Sequence, residues 1–298
     1  MLHEISPLRL DNAFYAHEVQ NGDTILCFQG DALLLRNSGE GIAYPVFDAV
    51  KMDASRCIYL FSIDSQRFFL SFRPVWAPGF RFSPVQSLRT AVPQHIAFAG
   101  TIGHHLYRWY RARKFCGVCG HRAVHDKKER MLLCPACGNK EYPQIMPAVI
   151  VGVIDGNKLL LTKYAARGNQ PSSQRQALVA GFTEIRETLE ETVRREVREE
   201  TGLEVGDITY YKSQPWAFTG SLLSGFFARV MGGNQVTLDE EELSQAVFVA
   251  REDIDVPYTN IALTNEMICL FRDLGPEPLL RNDPLRRMPY GQAEPGVQ

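Results

Sequence analysis

The sequence has no long apolar run and only a small net charge, and its first residues do not resemble a signal peptide. Its longest near-continuous apolar stretch, Met146 to Ile154, is far shorter than the roughly 20 residues that a membrane-spanning helix needs. Glu4 and Arg9 stand where a signal peptide has its apolar core. Because 32 Lys and Arg residues nearly balance 34 Asp and Glu residues, the formal net charge of -2 gives no general attraction to nucleic acid or anionic lipid. We therefore expect a cytoplasmic protein without a membrane partner.

Cysteine is present seven times, and four of the seven form two Cys-x-x-Cys pairs separated by fourteen residues. Two such pairs close a tetrahedral metal site, because each pair places two sulfurs on one side of the ion. Four cysteine ligands leave no open coordination position, so a structural zinc ion is favoured over a catalytic one. A redox dithiol is a weaker alternative. The predicted zinc ligands are Cys116, Cys119, Cys134 and Cys137.

The near-zero net charge hides a segregation of charge along the chain. Residues 111–140, which contain both cysteine pairs, have eight basic and two acidic residues, so their balance is +6 and that of the remaining chain is -8. A basic zinc ribbon of this kind could contact nucleic acid phosphates. The same charges support, at least equally well, a solvent-exposed surface on a small structural module that does not bind nucleic acid.

Hydrophobic periodicity divides the 298 residues, which show no evident internal repeat, into several segments. Short β segments are predicted within residues 1 to about 85, and helical spacing from about Gln94 to Arg113 leads into the cysteine pairs. After Pro147 come a strand-turn-strand pattern, a loop over 168–176 and a helix with a capping box at Thr188. The later predicted strands and helix are Ala177–Ala180, Ile208–Ser213, Leu223–Val230, Ala246–Ala250 and about Asn260 to Asp273. We predict domains over 1–88, 89–142 and 143–275, and a loosely held tail over 276–298.

Three carboxylates share one face of the predicted acidic helix. Glu196, Glu199 and Glu200 stand at i, i+3 and i+4, towards the helix C-terminus, where the helix macrodipole is already negative. Such a cluster is unfavourable by itself, and a divalent cation would reverse that cost. Hard oxygen ligands of this kind suit Mg²⁺ or Mn²⁺.

These glutamates belong to a motif that resembles the Nudix box in each of its nine fixed positions over 23 residues. Gly181 is followed after five residues by Glu187, and after seven more by Arg195-Glu196-Val197, then by Glu199-Glu200 and Gly202-Leu203 at single-residue intervals. One departure is Arg186, where many members of the family have glycine. The resemblance implies a Nudix α/β/α sandwich with a mixed sheet, of the α+β or α/β class, after a four-cysteine zinc ribbon and a β-rich N-terminal domain.

A second motif, Ser213-Gln214-Pro215-Trp216-Ala217-Phe218-Thr219-Gly220-Ser221, is similar to the signature of the NADH pyrophosphatase branch of this family. Its departures are Ala217 and Thr219, where prolines are expected, and the loss of two fixed φ angles makes the segment less rigid. A four-cysteine ribbon before the Nudix domain is also typical of the branch. The resemblance covers about residues 89–273 well, and the first 88 residues only by architecture.

The resemblance also implies roles for individual residues. Glu196 and Glu200 bind the catalytic divalent ions, Glu199 completes the catalytic set, and the carbonyl of Ala180 adds a ligand. A late metal-binding glutamate corresponds to Glu242, with an uncertainty of one residue because three glutamates are adjacent. Arg195 is expected to pair with Glu187 or a neighbouring carboxylate. The implied substrate-binding residues are Arg89, Glu129, Tyr142, Gln214, Pro215, Trp216, Ala217, Phe218, Thr219, Gly220, Ser221 and Ala262.

The function implied is metal-dependent hydrolysis of the pyrophosphate bond of NADH or NAD⁺ to AMP and nicotinamide mononucleotide, extending to removal of NAD caps from RNA. The expected cofactors are Mg²⁺ or Mn²⁺ for catalysis and one structural Zn²⁺ per chain, and the expected assembly is a homodimer. A hydrolase of broader specificity, acting on ADP-ribose or dinucleoside polyphosphates, is the first alternative. A nucleotide-sensing, nucleic-acid-binding regulator is the second, and the intact glutamate set counts against it.

Overall fold

A computed structural model describes residues 1–166 and 175–281 of the chain. They form two compact units: the N-terminal unit comprises Leu2–Ile145 and Trp216–Gly220, and the C-terminal unit comprises Met1, Met146–Pro215 and the residues from Ser221 onward. The cysteine-rich segment, predicted from sequence as a separate domain, clusters with the N-terminal sheet. Most of the predicted loop 168–176 lies outside the described residues. Within those residues, no helix has the length and apolar character needed to cross a lipid bilayer.

The N-terminal unit contains a β-sheet, a long helix and the cysteine ribbon. Its sheet strands are β1 (Leu10–Asp11), β2 (Thr24–Gln29), β3 (Ala32–Ser38), β4 (Gly41–Ala43), β5 (Cys57–Ile63), β6 (Gln66–Ser71) and β7 (Arg81–Pro84). They pair in the order β1-β5-β6-β2-β3-β4, and β7 also pairs with β3. Helix α1 (Gln94–Ala112) confirms the predicted amphipathic helix.

The cysteine ribbon contains a small antiparallel sheet of three short strands. These are β8 (Val124–His125), β9 (Leu132–Leu133) and β10 (Lys140–Glu141), and β9 is central. Arg130 in the ribbon donates hydrogen bonds to the side chain and carbonyl of Asn12 and to the carbonyl of Leu60. These bonds attach the ribbon to the N-terminal sheet, which explains why both belong to one unit.

The C-terminal unit is a mixed sheet between helices. In chain order its elements are β11 (Met146–Asp155), β12 (Lys158–Tyr164), β13 (Val179–Phe182), α2 (Leu189–Thr201), β14 (Val205–Trp216), β15 (Ser221–Val230), β16 (Leu243–Ala250), α3 (Leu263–Leu274) and α4 (Pro276–Leu280). The described strands pair in the order β14-β15-β11-β12-β16, and β13 also pairs with β11. Strands β11 and β15 run parallel, with Val149 opposite Ser224, whereas β12 and β13 run antiparallel to β11.

Alternation along β11 assigns one helix to each face of this sheet. Val149, Val151 and Val153 belong to the core cluster that includes residues of α2. Ile150 and Ile154 belong to the cluster that includes residues of α3. Because successive side chains of a strand point to opposite faces, α2 and α3 cover opposite sides of the sheet. The predicted α/β/α sandwich with a mixed sheet is therefore confirmed.

The beginning of the predicted C-terminal tail differs from the expectation. Pro276–Leu280 form the short helix α4, and the side chain of Leu279 is fully buried in the core beside α3. Proline at the first helical position needs no hydrogen-bond partner for its nitrogen and has a φ angle suited to a helix. Prolines therefore start a helix here where the sequence predicted loose chain. Residues 282–298 of the predicted tail lie outside the described residues.

Candidate active site

Helix α2 begins and ends at the residues that the sequence predicts. The N–H of Glu191 donates to the Thr188 hydroxyl over 3.2 Å, and the Glu191 carboxylate accepts from the Thr188 N–H over 2.8 Å. This reciprocal capping box satisfies two of the free N–H groups at the helix start. Gly202, with φ of 71°, ends the helix in the left-handed conformation that glycine adopts easily. Two local signals thus fix the register of the glutamates between them.

A cleft of about 540 Å³ brings the predicted metal-binding residues together. Its lining includes each residue predicted to hold or complete the metal centre: Ala180, Glu196, Glu199, Glu200 and Glu242. Glu200 is 1% exposed and Glu196 is 8% exposed, whereas the side chain of Glu199 is largely open to solvent. Asp239 also lines the cleft, but Glu240 and Glu241 do not, so Glu242 is the one of the three adjacent glutamates that lines it.

Gly181 allows the glutamate helix to approach strand β13 closely. A Cβ atom built on Gly181 would overlap the carboxyl group of Glu196. The first position of the motif is therefore glycine because any side chain there would displace this carboxylate. This steric requirement was not part of the sequence-based prediction.

Arg195 ties the carboxylates of the cleft into one network. Its guanidinium donates to Glu187 over 2.6 and 2.9 Å, to Glu196 over 2.8 Å and to Glu199 over 2.9 Å. It also donates to the carbonyl of Phe182 over 2.8 Å. The guanidinium of Arg195 holds the pKa of Glu187 at about 2, with help from the Glu184 N–H. The predicted pairing of Arg195 with Glu187 is confirmed.

The electrostatics of the cleft favour a cation. Burial raises the pKa of Glu196, and the negative charges of Glu199 and Glu242 raise it further, against the opposing effect of Arg195. A divalent ion would offset both causes, since it supplies positive charge and ligand bonds to a poorly solvated carboxylate. In the described residues, no three carboxylates bring their oxygens within 4.8 Å of one another. Carboxylate oxygens together with retained waters are the ligands that hard divalent cations prefer.

The four cysteines of the ribbon bring their sulfurs together at one point. Their ligand atoms lie within 4.8 Å of one another, with Sγ–Sγ separations of 3.4 to 3.6 Å for three of the pairs. At a Zn–S distance of about 2.3 Å, tetrahedral sulfurs lie about 3.8 Å apart, so the sulfurs fit zinc. We therefore assign a structural zinc site to Cys116, Cys119, Cys134 and Cys137.

The two cysteine knuckles have the same backbone construction. In each, a glycine with positive φ, Gly120 or Gly138, donates its N–H to the carbonyl of the first cysteine over 2.9 Å. Backbone N–H groups also lower the pKa of the first thiol in each knuckle, that of Cys134 to about 7. The thiolate form that zinc requires is therefore favoured at both positions.

The predicted substrate residues fall into separate groups. In the N-terminal unit, the Tyr142 hydroxyl donates to the Glu129 carboxylate over 2.8 Å. The guanidinium of Arg89 lies 5.0 Å from the ring centre of Trp216 and 5.1 Å from that of Phe218. Both rings are less than 10% exposed, so they offer less open surface than expected. Within the short turn that follows, the N–H groups of Thr219 and Gly220 donate to the carbonyl of Trp216.

Two other members of the signature, Pro215 and Ser221, lie on strands of the C-terminal unit, whereas Ala217 lies in the N-terminal unit. Pro215 is exposed near the end of β14, and Ser221 is buried at the start of β15. Ala217, between the two rings, is half-buried. Ala262 is the N-cap residue of α3. The role of these residues in substrate binding stays a prediction.

Gln214 requires a correction. The family resemblance implies that its amide binds substrate, but the side chain is fully buried and both ends of the amide bond inside the protein. Its Nε2 donates to the carbonyl of Ile261, and its Oε1 accepts from the N–H of Leu263. The partners lie almost fifty residues further along the chain, so no local pattern could identify them.

Sequence reasoning also missed several residues that line the cleft: Tyr164, Phe182, Glu184 and Asp239. Phe182 directly follows the first glycine of the motif, and its side chain is about half exposed. An aromatic residue at that position was a usable signal. Asp239 directly precedes the three adjacent glutamates that end at Glu242, whereas nothing in the sequence around Tyr164 indicates its position.

Comparison with known proteins agrees with both motifs. Residues 144–271 match the NUDIX domain, and residues 111–142 match the NADH pyrophosphatase zinc ribbon domain. The chain is 35% identical over 184 residues to the NAD-capped RNA hydrolase NudC of Citrobacter koseri, covering 61% of this chain and 70% of that protein. It is 40% identical over 152 residues to the NudC protein of an Enterobacter strain, covering 51% and 57%.

A NUDIX hydrolase of known structure from Nitrosomonas europaea is 21% identical, with a TM-score of 0.46 over 53% of this chain and 90% of that one. The assignment rests on the sequence relatives and on the two domain matches, because the Citrobacter protein is matched over 70% of its length. The chain therefore belongs to the Nudix hydrolases, in the branch that has an NADH pyrophosphatase zinc ribbon.

Proposed function

We propose that this hydrolase splits NADH or NAD⁺ at the pyrophosphate bond, giving AMP and nicotinamide mononucleotide, with Mg²⁺ or Mn²⁺ as the cofactor. The observation that carries the proposal is the convergence of Glu196, Glu199, Glu200 and Glu242 on one cleft. Relatives named NAD-capped RNA hydrolase support the substrate class. We extend the proposal to NAD caps of RNA for the same reason.

The chemistry proposed is in-line attack of water on phosphorus, in which positioning and charge neutralisation supply most of the catalysis. Glu196, Glu200, Glu242 and the carbonyl of Ala180 would hold the divalent ions, which neutralise charge on the phosphate oxygens. One glutamate of the set accepts the proton of the attacking water. Arg195 orients the carboxylates through its bonds to Glu187, Glu196 and Glu199.

A flat apolar surface for a base is available at Phe182. Phe182 lines the cleft and is 49% exposed, whereas Trp216 and Phe218 are mostly enclosed. Aromatic faces stack on planar heterocycles of any kind. We therefore assign base stacking to Phe182 rather than to the two aromatic residues of the signature.

The experiment is a substrate panel of NADH, NAD⁺, ADP-ribose, diadenosine polyphosphates and NAD-capped RNA, each with Mg²⁺ and Mn²⁺, read out as AMP or capped-end release. We expect AMP from NADH, and we expect Glu200→Gln to abolish its release without unfolding the protein. Glu241→Gln is the matched control, because Glu241 is exposed and does not line the cleft. Rapid cleavage of ADP-ribose without AMP from NADH would contradict the proposal.

A hydrolase of broader substrate specificity is the second candidate function. The observation in its favour is that Ala217 and Thr219 stand where the family signature has prolines. A less rigid segment discriminates less sharply between the two halves of a dinucleotide.

We also propose a homodimer, as the resemblance implies. Sedimentation equilibrium at a range of concentrations tests the assembly, and a monomer throughout that range would refute it.

A further inference from the structure

Tyr164 is the last residue of strand β12, at the point where that strand reaches the cleft. Leu160, four residues earlier on β12, belongs to the core cluster that includes residues of α2. Because alternate side chains of a strand point to the same face, Tyr164 lies on the α2 side of the sheet. Leu160 is 1% exposed, whereas Tyr164 is 37% exposed and lines the cleft. The apolar core of this face therefore ends before Tyr164, and the cleft begins there.

The main chain at Tyr164 is held against the segment that supplies Glu242. The pairing of β12 with β16 skips Ser244, which is the extra residue of a β-bulge beside Tyr164. The hydroxyl of Ser244 donates to the carbonyl of Tyr164 over 3.3 Å. The N–H of Ala165, the next residue, donates to the carbonyl of Glu242 over 2.9 Å. These bonds fix the backbone of Tyr164 beside a proposed metal ligand without using the tyrosine side chain.

The side chains that line the cleft differ in the hydrogen bonds that they can offer to a substrate. Six of them are carboxylates, which only accept when ionised, and Ala180, Gly181 and Phe182 have no side-chain donor. The guanidinium of Arg195 is bonded to three glutamates. Among the lining residues within the described part of the chain, Tyr164 thus has the one uncharged side-chain donor.

We propose that the Tyr164 hydroxyl donates a hydrogen bond to a phosphate oxygen of the bound substrate. A phosphoanhydride presents acceptor oxygens, and the carboxylates around it in this cleft repel those oxygens wherever no cation intervenes. A phenol hydroxyl supplies a donor that such oxygens need and adds no charge to the site. The proposal rests on the proposed function only in that the substrate contains a phosphoanhydride, which every member of the substrate panel does.

The test compares Tyr164→Phe with the wild-type full chain, because this change removes the hydroxyl and keeps the ring. Tyr210→Phe is the matched control, since Tyr210 on β14 of the same unit is 47% exposed and does not line the cleft. Steady-state kinetics on NADH with Mn²⁺ reports substrate binding and turnover, and electron paramagnetic resonance of Mn²⁺ without substrate reports metal affinity. We expect Tyr164→Phe to raise KM about tenfold and to leave kcat within about twofold, as for loss of one hydrogen bond made in the bound substrate and in the transition state alike. The Mn²⁺ affinity should not change, and Tyr210→Phe should match the wild type in all three quantities.

Two results would overturn the proposal. A wild-type KM in Tyr164→Phe would show that the hydroxyl does not bind substrate, and a raised KM in Tyr164→Leu alone would then assign the effect to the ring. Weaker Mn²⁺ binding by Tyr164→Phe would show that the tyrosine acts through the metal ligands.

Failure of the proposed function is distinguishable from failure of this proposal. If the wild type does not cleave NADH, the same variants are compared on the member of the substrate panel that is cleaved, and the same criteria apply. If no member is cleaved, calorimetric titration of ADP-ribose in the presence of Ca²⁺ decides. Binding about tenfold weaker in Tyr164→Phe would support the hydrogen bond, and equal binding would refute it.

Discussion

Replacement of Gly181 by alanine tests whether the position of Glu196 controls catalysis. A Cβ atom at residue 181 would overlap the Glu196 carboxyl group, and real Cβ atoms keep at least 3.0 Å from such neighbours. The carboxylate must therefore withdraw by about 1 Å or more, and a misplacement of that size in an active site costs about 100-fold in rate. The clash is with the far end of a flexible side chain, so the backbone and the core need not move.

We accordingly expect Gly181→Ala to lower kcat about 100-fold while the melting temperature stays close to that of the wild type. The assay is AMP release from NADH with saturating Mn²⁺, together with a thermal melt of the same preparation. Gly233→Ala is the control, because a Cβ there meets no heavy atom within 4 Å and the residue does not require positive φ. Wild-type kcat in Gly181→Ala would show that the observed position of the Glu196 carboxylate is not needed for turnover.

Three further predictions concern the zinc site, a strained residue and pH. Cys119→Ser should reduce the zinc content from one ion per chain to none and lower the stability of the protein by several kcal/mol. Atomic absorption measures the zinc content and thermal melting measures the stability. Full zinc retention would contradict the ligand assignment. Arg186 has a φ of 80°, which is strained for a residue other than glycine, so Arg186→Gly should stabilise the protein by about 1 kcal/mol. Denaturant unfolding measures the change. Destabilisation would show that the contacts of the Arg186 side chain contribute more to stability than its backbone strain costs. The Glu187 pKa is depressed from 4.5 to about 2, so its stabilising effect is complete above pH 4.5 and lost as pH falls towards 2. The stability difference between wild type and Glu187→Gln should shrink over that window, and a difference constant with pH would refute the pairing.

Local signals explain which parts of the fold are predictable from the sequence. Helix α2 begins after Thr188 and ends before Gly202, because capping residues act within a few positions of themselves. Strand ends depend instead on pairing partners. The strand predicted over Ile208–Ser213 extends from Val205 to Trp216, and the one predicted over Ala177–Ala180 is Val179–Phe182, where it pairs with β11.

The same distinction applies to the candidate site. The glutamates of α2 are predictable because helical periodicity alone places them on one face. Glu242 is predicted to within one residue, and its position in the cleft needs the path of the chain after β15. The partners of Gln214 lie 47 and 49 residues away in sequence, and Arg89, which lies over the Trp216 ring, is further away still. Such contacts follow from tertiary packing, which cannot be predicted from the spacing of residues or from the amino-acid composition.

Arg195 explains how so many carboxylates remain in place around one cleft. The planar guanidinium carries five N–H donors, and here it bonds to three glutamates and to one carbonyl at once. A lysine ammonium is a compact charge with three donors, so it could not bridge Glu187, Glu196 and Glu199 with the same geometry. The arginine also opposes the rise in the pKa of Glu196 that burial causes. A fixed cation beside the metal ligands therefore favours the charged form of Glu196 and holds the neighbouring carboxylates in place, which prepares them to bind a divalent ion.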